Sequence, residues 1–363
     1  MHDGGGMTAD IELLKRLARI PSVSADAAAN DRVADELRSW LDGHGVFTAF
    51  ERGPDGRKIL YAATGPGKVQ DFLFNAHTDV VPAPPAMFEP VERDGWLCGR
   101  GCGDCKGNVV LVARLLAELN GRASAGAVFS SDEETDGSTA EAMVAKGYGA
   151  KRLVLVMDSQ PYSLCIAEKG HVCFTLVARG RAGHSSRPWE CDNALERLLD
   201  AWAKVRAALP REATAEDFWH ETLVPTVLSA GDVPNRVPGE ARLTLNLRYV
   251  EPGGADEWER RLGDLTGLEV LRGKNSAPVS ADGSAPVVAA LREHLRRAWP
   301  GRPVPLVRMN GATDARAFAK LGVPLVISSV EKRGDHAADE GVRIASIDEV
   351  GDALRDFILE ARA

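Results

Sequence analysis

Two histidines and five carboxylates carry the chemistry legible in this chain, and each lies beside an apolar or helical run. Phe74-Asn75-Ala76-His77-Thr78-Asp79 ends one such run, Ser131-Asp132-Glu133-Glu134-Thr135-Asp136 ends another, and Asp158 ends a third. Gly99-Arg100-Gly101-Cys102-Gly103-Asp104-Cys105-Lys106-Gly107 precedes a helical pattern, and Gly334-Asp335-His336-Ala337-Ala338-Asp339-Glu340 forms a polar loop. Imidazoles and carboxylates in this ratio make an oxygen-rich donor set, which suits zinc, cobalt or manganese better than a thiolate-bound metal. Two ions held about 3.5–4 Å apart need one carboxylate shared between them. His77 and His336 supply one imidazole for each ion, and Asp104, Glu134 and Asp158 supply the carboxylates. Glu133 is then left over to take a proton from the attacking water. Asp79, two residues from His77, can accept the second ring N–H and fix the tautomer.

Each segment alone has a plainer reading. Asp-Glu-Glu is commonly a solvated loop, and His-x-Asp a cap or a surface turn. The Gly-x-Gly element lacks its third glycine and carries an aspartate where a phosphate would sit, so it is not an anion loop. Their joint occurrence at strand ends favours the metal reading. In an open α/β sheet, ligands bind outside the carboxyl ends of the strands.

The elements that must deliver these residues follow from periodicity. Ile11–Ile20, Asp31–Leu41 and Gly107–Leu119 have apolar residues at helical spacing, with Pro21 stopping the first. Lys58–Ala63, Asp71–Asn75, Ala125–Phe129 and Arg152–Met157 read as strands. Two of them are apolar on both faces and therefore central. This alternation predicts an α/β fold, a mixed sheet flanked by helices. From Val172 the pattern changes to strand 172–177, helix 193–209, strands 223–229 and 241–249, helix 256–265 and strand 268–271. That βαββαβ order predicts an inserted ferredoxin-like α+β domain. Its expected bounds are 172–284, with 1–171 and 285–363 forming the rest and 273–286 the return linker. Beyond it lie a helix at 287–299, a strand near 304–307, a helix at 314–321, a strand at 323–328 and a last helix capped by Ser346.

The bulk numbers narrow the class. The chain has 363 residues, 44% hydrophobic and 26% charged, and a net charge of −8. An acidic chain without basic clusters argues against nucleic acid and anionic membranes as partners. No apolar run approaches the ~20 residues that span a bilayer. The N-terminal residues show no basic region followed by an apolar stretch, so a secretory signal is not expected. Met7 reads as a start, with residues 1–6 a disordered extension. The six cysteines predict reduced thiols in a cytoplasmic protein, and Cys102-Gly103-Asp104-Cys105 reads as a tight loop of small residues.

Taken together, the segments around His77, Asp104 and Glu133-Glu134 closely resemble the M20 family of metallopeptidases and amidohydrolases, over nearly the whole chain. The resemblance implies that His77 and Asp158 hold one ion, Glu134 and His336 the other, that Asp104 bridges them, and that Glu133 is the general base. It implies zinc, with cobalt as an alternative. Gly180-Arg181-Ala182-Gly183-His184-Ser185-Ser186 matches a segment of the family's inserted lid. There His184 would reach a neighbouring subunit's active site, which implies a homodimer. Pro234-Asn235-Arg236 and Asn246-Leu247-Arg248 match segments that bind a substrate carboxylate through Asn235 and Arg248, and Asp314 falls on a loop lining the pocket. Three departures stand out. Cys105 replaces the usual methionine, Val330-Glu331-Lys332-Arg333-Gly334 replaces a glycine-proline-glycine loop, and aspartate at 158 is commoner in dipeptidases than in deacylases. The Gly-Arg-Ala-Gly-His and His-Ala-Ala-Asp-Glu segments lie nearer the acetylornithine-type deacetylases. The expected activity is hydrolysis of the amide bond of a small N-acyl amino acid, with cleavage of short peptides the alternative. A non-catalytic scaffold is disfavoured because every ligand has a candidate, and a phosphate-ester hydrolase because no anion loop is present.

Overall fold

The computed structural model describes residues 5–209 and 213–361, with side chains from residue 10 onward. Residues 1–4 of the expected N-terminal extension lie outside the described residues, whereas Gly5 and Gly6 already belong to a helix. In chain order the main elements are α1 (Gly5–Ala18), α2 (Ala27–Gly43), β1 (Phe47–Arg52), β2 (Lys58–Ala63), β3 (Val69–His77), α3 (Gly107–Leu119), β4 (Ala125–Ser130), α4 (Ser138–Ala145) and β5 (Gly149–Pro161). Then follow β6 (Gly170–Arg179), α5 (Ala194–Ala207), β7 (Thr222–Ala230), β8 (Glu240–Tyr249), α6 (Gly254–Thr266), β9 (Glu269–Ser276), α7 (Pro286–Ala298), β10 (Leu325–Ser329) and α8 (Ile344–Ala361). The chain divides into two compact units. The first runs up to Ile166 and adds Ser280–Val307 and everything from Thr313; the second comprises Ala167–Val279 and Arg308–Ala312.

In the first unit the strands run β1-β2-β4-β3-β5-β10 across a mixed sheet. The pairs β3–β4, β3–β5 and β5–β10 are parallel. Phe72, Phe74 and Ala76 of β3 join Leu14, Leu37, Val109, Leu116, Leu291 and Leu354 in one core, which fixes the helices α1, α2, α3, α7 and α8 against the sheet. Side chains alternate along a strand, so His77 points to the face opposite Ala76. β4 is buried at every position, as a central strand covered on both faces must be.

A small four-stranded sheet of Lys332–Arg333, Gly341–Arg343, Trp96–Cys98 and Val91–Arg93 has no counterpart in the sequence expectations. It sets Gly341 opposite Cys98 and Lys332 opposite Val342. The loops bearing Asp104 and His336 therefore leave adjacent strands.

The second unit contains the strands β7-β8-β6-β9, each pair antiparallel, the order of a ferredoxin-like sheet. Val172, Phe174, Leu176, Leu243, Leu245 and Leu247 pack with Leu198, Val205, Trp258 and Leu262 of the two helices. The alternating residues Thr244, Asn246 and Arg248 face the other way.

Three expectations need correction. Ser346 does not cap the last helix, because α8 already starts at Ile344. Its buried hydroxyl instead donates to Arg343 O at 2.7 Å and accepts Glu331 N–H at 2.9 Å. The expected linker from Gly273 is strand as far as Ser276, where β9 pairs with β6. The helix expected at 314–321 is short, a turn of α-helix at Ala315–Phe318 followed by a 3-10 turn.

Candidate metal centre

His77 is the last residue of β3, and its side chain is 1% exposed. Its Nε2 lies 3.2 Å from Asp104 Oδ1, and its Nδ1 lies 3.1 Å from Asp79 O and 3.4 Å from Asp79 Oδ1. Asp79 is fully buried. It accepts Ser24 Oγ at 2.6 Å and the backbone N–H groups of Glu133 and Glu134, both at 3.2 Å. Asp79 thus orients the imidazole chiefly through its backbone carbonyl, while its carboxylate pins the turn that carries both glutamates. Burial alone would raise its pKa, but His77, Ser24 and the Glu134 N–H hold it below the usual carboxylate range.

Asp104 sits in the tight, buried turn Cys102–Lys106, and the Asp104–Cys105 peptide is cis. Its Oδ2 faces His336 Nε2 at 3.3 Å while its Oδ1 faces His77. The same His336 nitrogen lies 2.9 Å from Glu134 Oε2. The turn is anchored twice. Glu340 accepts the N–H groups of Gly101, Gly103 and Asp104 at 2.8, 3.3 and 3.1 Å, and pairs with Arg100. Lys106, fully buried, donates to Leu17 O and Ile20 O at 3.0 Å, and burial brings its pKa down to about 8.

The structure therefore brings His77, Asp79, Asp104, Glu134 and His336 together. Ligand atoms of His77, Asp104 and Glu134 lie within 4.8 Å of one another, as do those of His77, Cys105 and Asp158. The donor set is poorly balanced by the protein's own charges. Burial, with Asp158 beside it, pushes the Glu133 carboxyl well above its ordinary range. Burial raises Glu134 to about 7 and also raises Asp158. His336 is pulled up to about 9 by Asp104 and Glu134, and His77 well above the ordinary imidazole value, because its acidic neighbours outweigh the effect of burial. Against the effect of burial, His336, His77 and Lys332 hold Asp104 well below its ordinary range, while Glu133, Glu134 and Asp158 crowd together with raised proton affinity; a bound dication would relieve that crowding, so the residues fit a metal.

Asp314, expected on a pocket-lining loop, is 1% exposed, and both its oxygens are buried without a hydrogen-bond partner among the described residues. Burial lifts its pKa to about 7. In the second unit, His184 pairs in register with Arg236, next to Asn235, whose O accepts the Ser185 N–H at 3.0 Å. His184 is exposed, with its Nδ1 2.7 Å from Ser186 Oγ. Arg248 is half-buried on the same sheet face as Asn246, whose amide meets His171 Nε2 at 3.0 Å.

The sequence reading missed Arg100, Glu340, Ser24 and Lys332. Glu340 left a faint signal, an acid at the end of the His336 loop just before an apolar strand. Lys332 left none, since Glu331-Lys332-Arg333 reads as an ordinary solvated charge run. No disulfide joins the six cysteines.

A mixed sheet with an imidazole–carboxylate cluster at its strand ends defines a metal-dependent hydrolase. Residues 73–360 match the description of Peptidase family M20/M25/M40. The chain belongs to this family and acts on amide bonds. It is 31% identical to a succinyl-diaminopimelate desuccinylase of Rhodospirillum centenum, across 93% of each chain, and 27% identical to one of Wolinella succinogenes, across 97% of this chain and 98% of the other. Among solved structures, a tripeptidase from Staphylococcus aureus superimposes with a TM-score of 0.83 at 16% identity, covering 99% of both chains. A dinuclear metal-binding M20 peptidase from Bacillus subtilis gives 0.70 at 14%, also covering 99% of both. At such identities these structures speak to the fold. No described helix is long and apolar enough to cross a membrane.

Proposed function

We propose that this chain removes the acyl group from a small N-acyl amino acid, using two zinc ions. His77, Asp104 and Asp158 would hold one ion, and Asp104, Glu134 and His336 the other. The observation that carries this reading is Asp104 itself, whose two oxygens face two different imidazoles at 3.2 and 3.3 Å. Bound ions would supply Lewis acidity at the scissile carbonyl and ease deprotonation of water.

Protein residues do the remainder, His184 acting in a neighbouring subunit's active site. Glu133, kept proton-hungry by burial and by Asp158, takes the proton of the attacking water and passes it to the leaving amine. Asp79 keeps His77 in one tautomer. His184 donates to the developing oxyanion, and Asn235 and Arg248 hold the substrate carboxylate. Substituting Glu133 by Gln is expected to lower kcat by about 10²–10⁴-fold while metal content stays unchanged; a nearly unaffected rate removes Glu133 from the role.

The desuccinylase relatives support a deacylase, and the peptidase structures together with Asp158 support the short-peptide alternative. A panel of N-acetyl and N-succinyl amino acids against di- and tripeptides decides. Higher kcat/KM on the acyl amino acids is the expected result, and the reverse order overturns it. A cytoplasmic location fits six cysteines that form no disulfide.

The second unit supports a homodimer. β7 pairs with β8 along one edge only and exposes Val224, Val227 and Leu228 at 52, 60 and 55%, with Leu199 of α5 at 50%. Such an edge invites pairing, and a second copy meeting it about a two-fold axis covers the same residues on both chains. Val227→Lys is expected to shift the chain from dimer to monomer in sedimentation experiments; an unchanged mass excludes this edge.

A further inference from the structure

Lys332 occupies ground that a metal ion would need. Its Nζ lies 3.4 Å from Asp104 Oδ1, 3.4 Å from Asp158 Oδ1 and 3.0 Å from Asp335 Oδ2. The side chain is 9% exposed, so it is not a solvated surface lysine. Its backbone is fixed in the small sheet opposite Val342. Its Cβ packs so closely on the Asp104 turn that a methyl group added at Gly103 would meet it at 3.2 Å. The root of this lysine is thus as firmly placed as the ligands themselves.

Its charge falls on one half of the centre. Asp104 Oδ1, the oxygen facing His77, also faces the ammonium. Asp104 Oδ2 faces His336, which Glu134 also approaches, and the contacts of Lys332 do not extend to that oxygen. An ammonium at this distance neutralises part of the charge of the two oxygens it touches, and it repels an approaching dication while it stays. Asp335, 44% exposed, offers the ammonium a partner when it is pushed aside.

We infer that Lys332 is a tethered counter-ion of the His77–Asp104–Asp158 half, which an incoming metal ion must displace. The two halves then load in order, the Glu134–His336 half first and tightly, the Lys332 half second and more weakly. Occupancy of the second half, and with it activity, follows the free metal concentration. This inference rests on the ligand assignment proposed above.

The test is calorimetric titration of the metal-stripped full chain with zinc. Two steps are expected, the second weaker by about tenfold or more. Lys332→Met should tighten the second step by about tenfold and leave the first nearly unchanged, whereas Lys332→Arg should titrate like the parent. His77→Ala should abolish the second step and spare the first. Far-UV circular dichroism of each stripped variant checks folding, and Lys332→Gln replaces Lys332→Met if the latter is not folded. Identical affinities in the parent and the neutral variant overturn the inference, as does tightening confined to the first step. A parent chain that takes up no zinc sinks the ligand assignment instead, which is a separate and recognisable result.

Discussion

The two histidines of the centre are held in opposite ways. His77 is 1% exposed, ends a central strand and is braced by an aspartate two residues away. His336 is 53% exposed and sits on a loop in the left-handed region, with φ of +63°, a conformation that costs a non-glycine residue of order 1–3 kcal/mol. Its loop is held from outside, by Arg100 donating to His336 O at 3.0 Å and by the Arg100–Glu340 pair. The sheet sets the first histidine, and a buried ion pair linking two loops sets the second. The cluster therefore combines an imidazole that folding cannot avoid placing with one whose place depends on a few charged contacts.

The largest expected effect tests the outside clamp. Glu340→Ala leaves the Arg100 guanidinium and three backbone N–H groups without their acceptor, and removing one partner of a buried pair costs about 3–5 kcal/mol. Urea unfolding measures it, and a loss of under about 1 kcal/mol would mean that the clamp holds nothing. A smaller effect is expected on the sheet side. Asp79→Asn should weaken zinc binding by about 10–100-fold with a modest change in stability, because an amide still offers an oxygen to the turn but places a donor against other donors. Unchanged affinity would show that strand placement alone suffices for His77. The smallest effect is expected from Gly334→Ala. Gly334 has φ of +65°, and a Cβ there would come within 2.7 Å of Asp339 Oδ1. About 1–2 kcal/mol should be lost, with the zinc affinity of the His336 half falling more than that of the His77 half. Equal losses in both halves would erase the distinction between them.

The sheet side was legible in the sequence for the same reason that it is rigid. β3 and β4 carry apolar runs that end in polar residues, so His77, Glu133 and Glu134 stand out there, whereas β5 runs on past Asp158 to Pro161 and only the apolar run 153–157 makes Asp158 read as a strand end. The βαββαβ order of the second unit was equally open, because Leu243, Leu245 and Leu247 alternate cleanly with Thr244, Asn246 and Arg248. The outside clamp was not legible. Its strands are two or three residues long, and Val91–Arg93 is exposed throughout, so no periodicity can betray them. Glu340 reaches Arg100 across 240 positions, and nothing local marks either residue. Lys332 was hidden for another reason. A lysine between a glutamate and an arginine reads as surface, and only the fold turns it inward.

Glu340 follows the amide groups that it accepts by 236 to 239 positions. A chain still being synthesised thus carries His77 and Asp104 long before the residue that closes the turn between them. Closure of the turn that bears Asp104 is consequently a late event in synthesis, because it waits for Glu340 to fold back onto the amides of Gly101, Gly103 and Asp104.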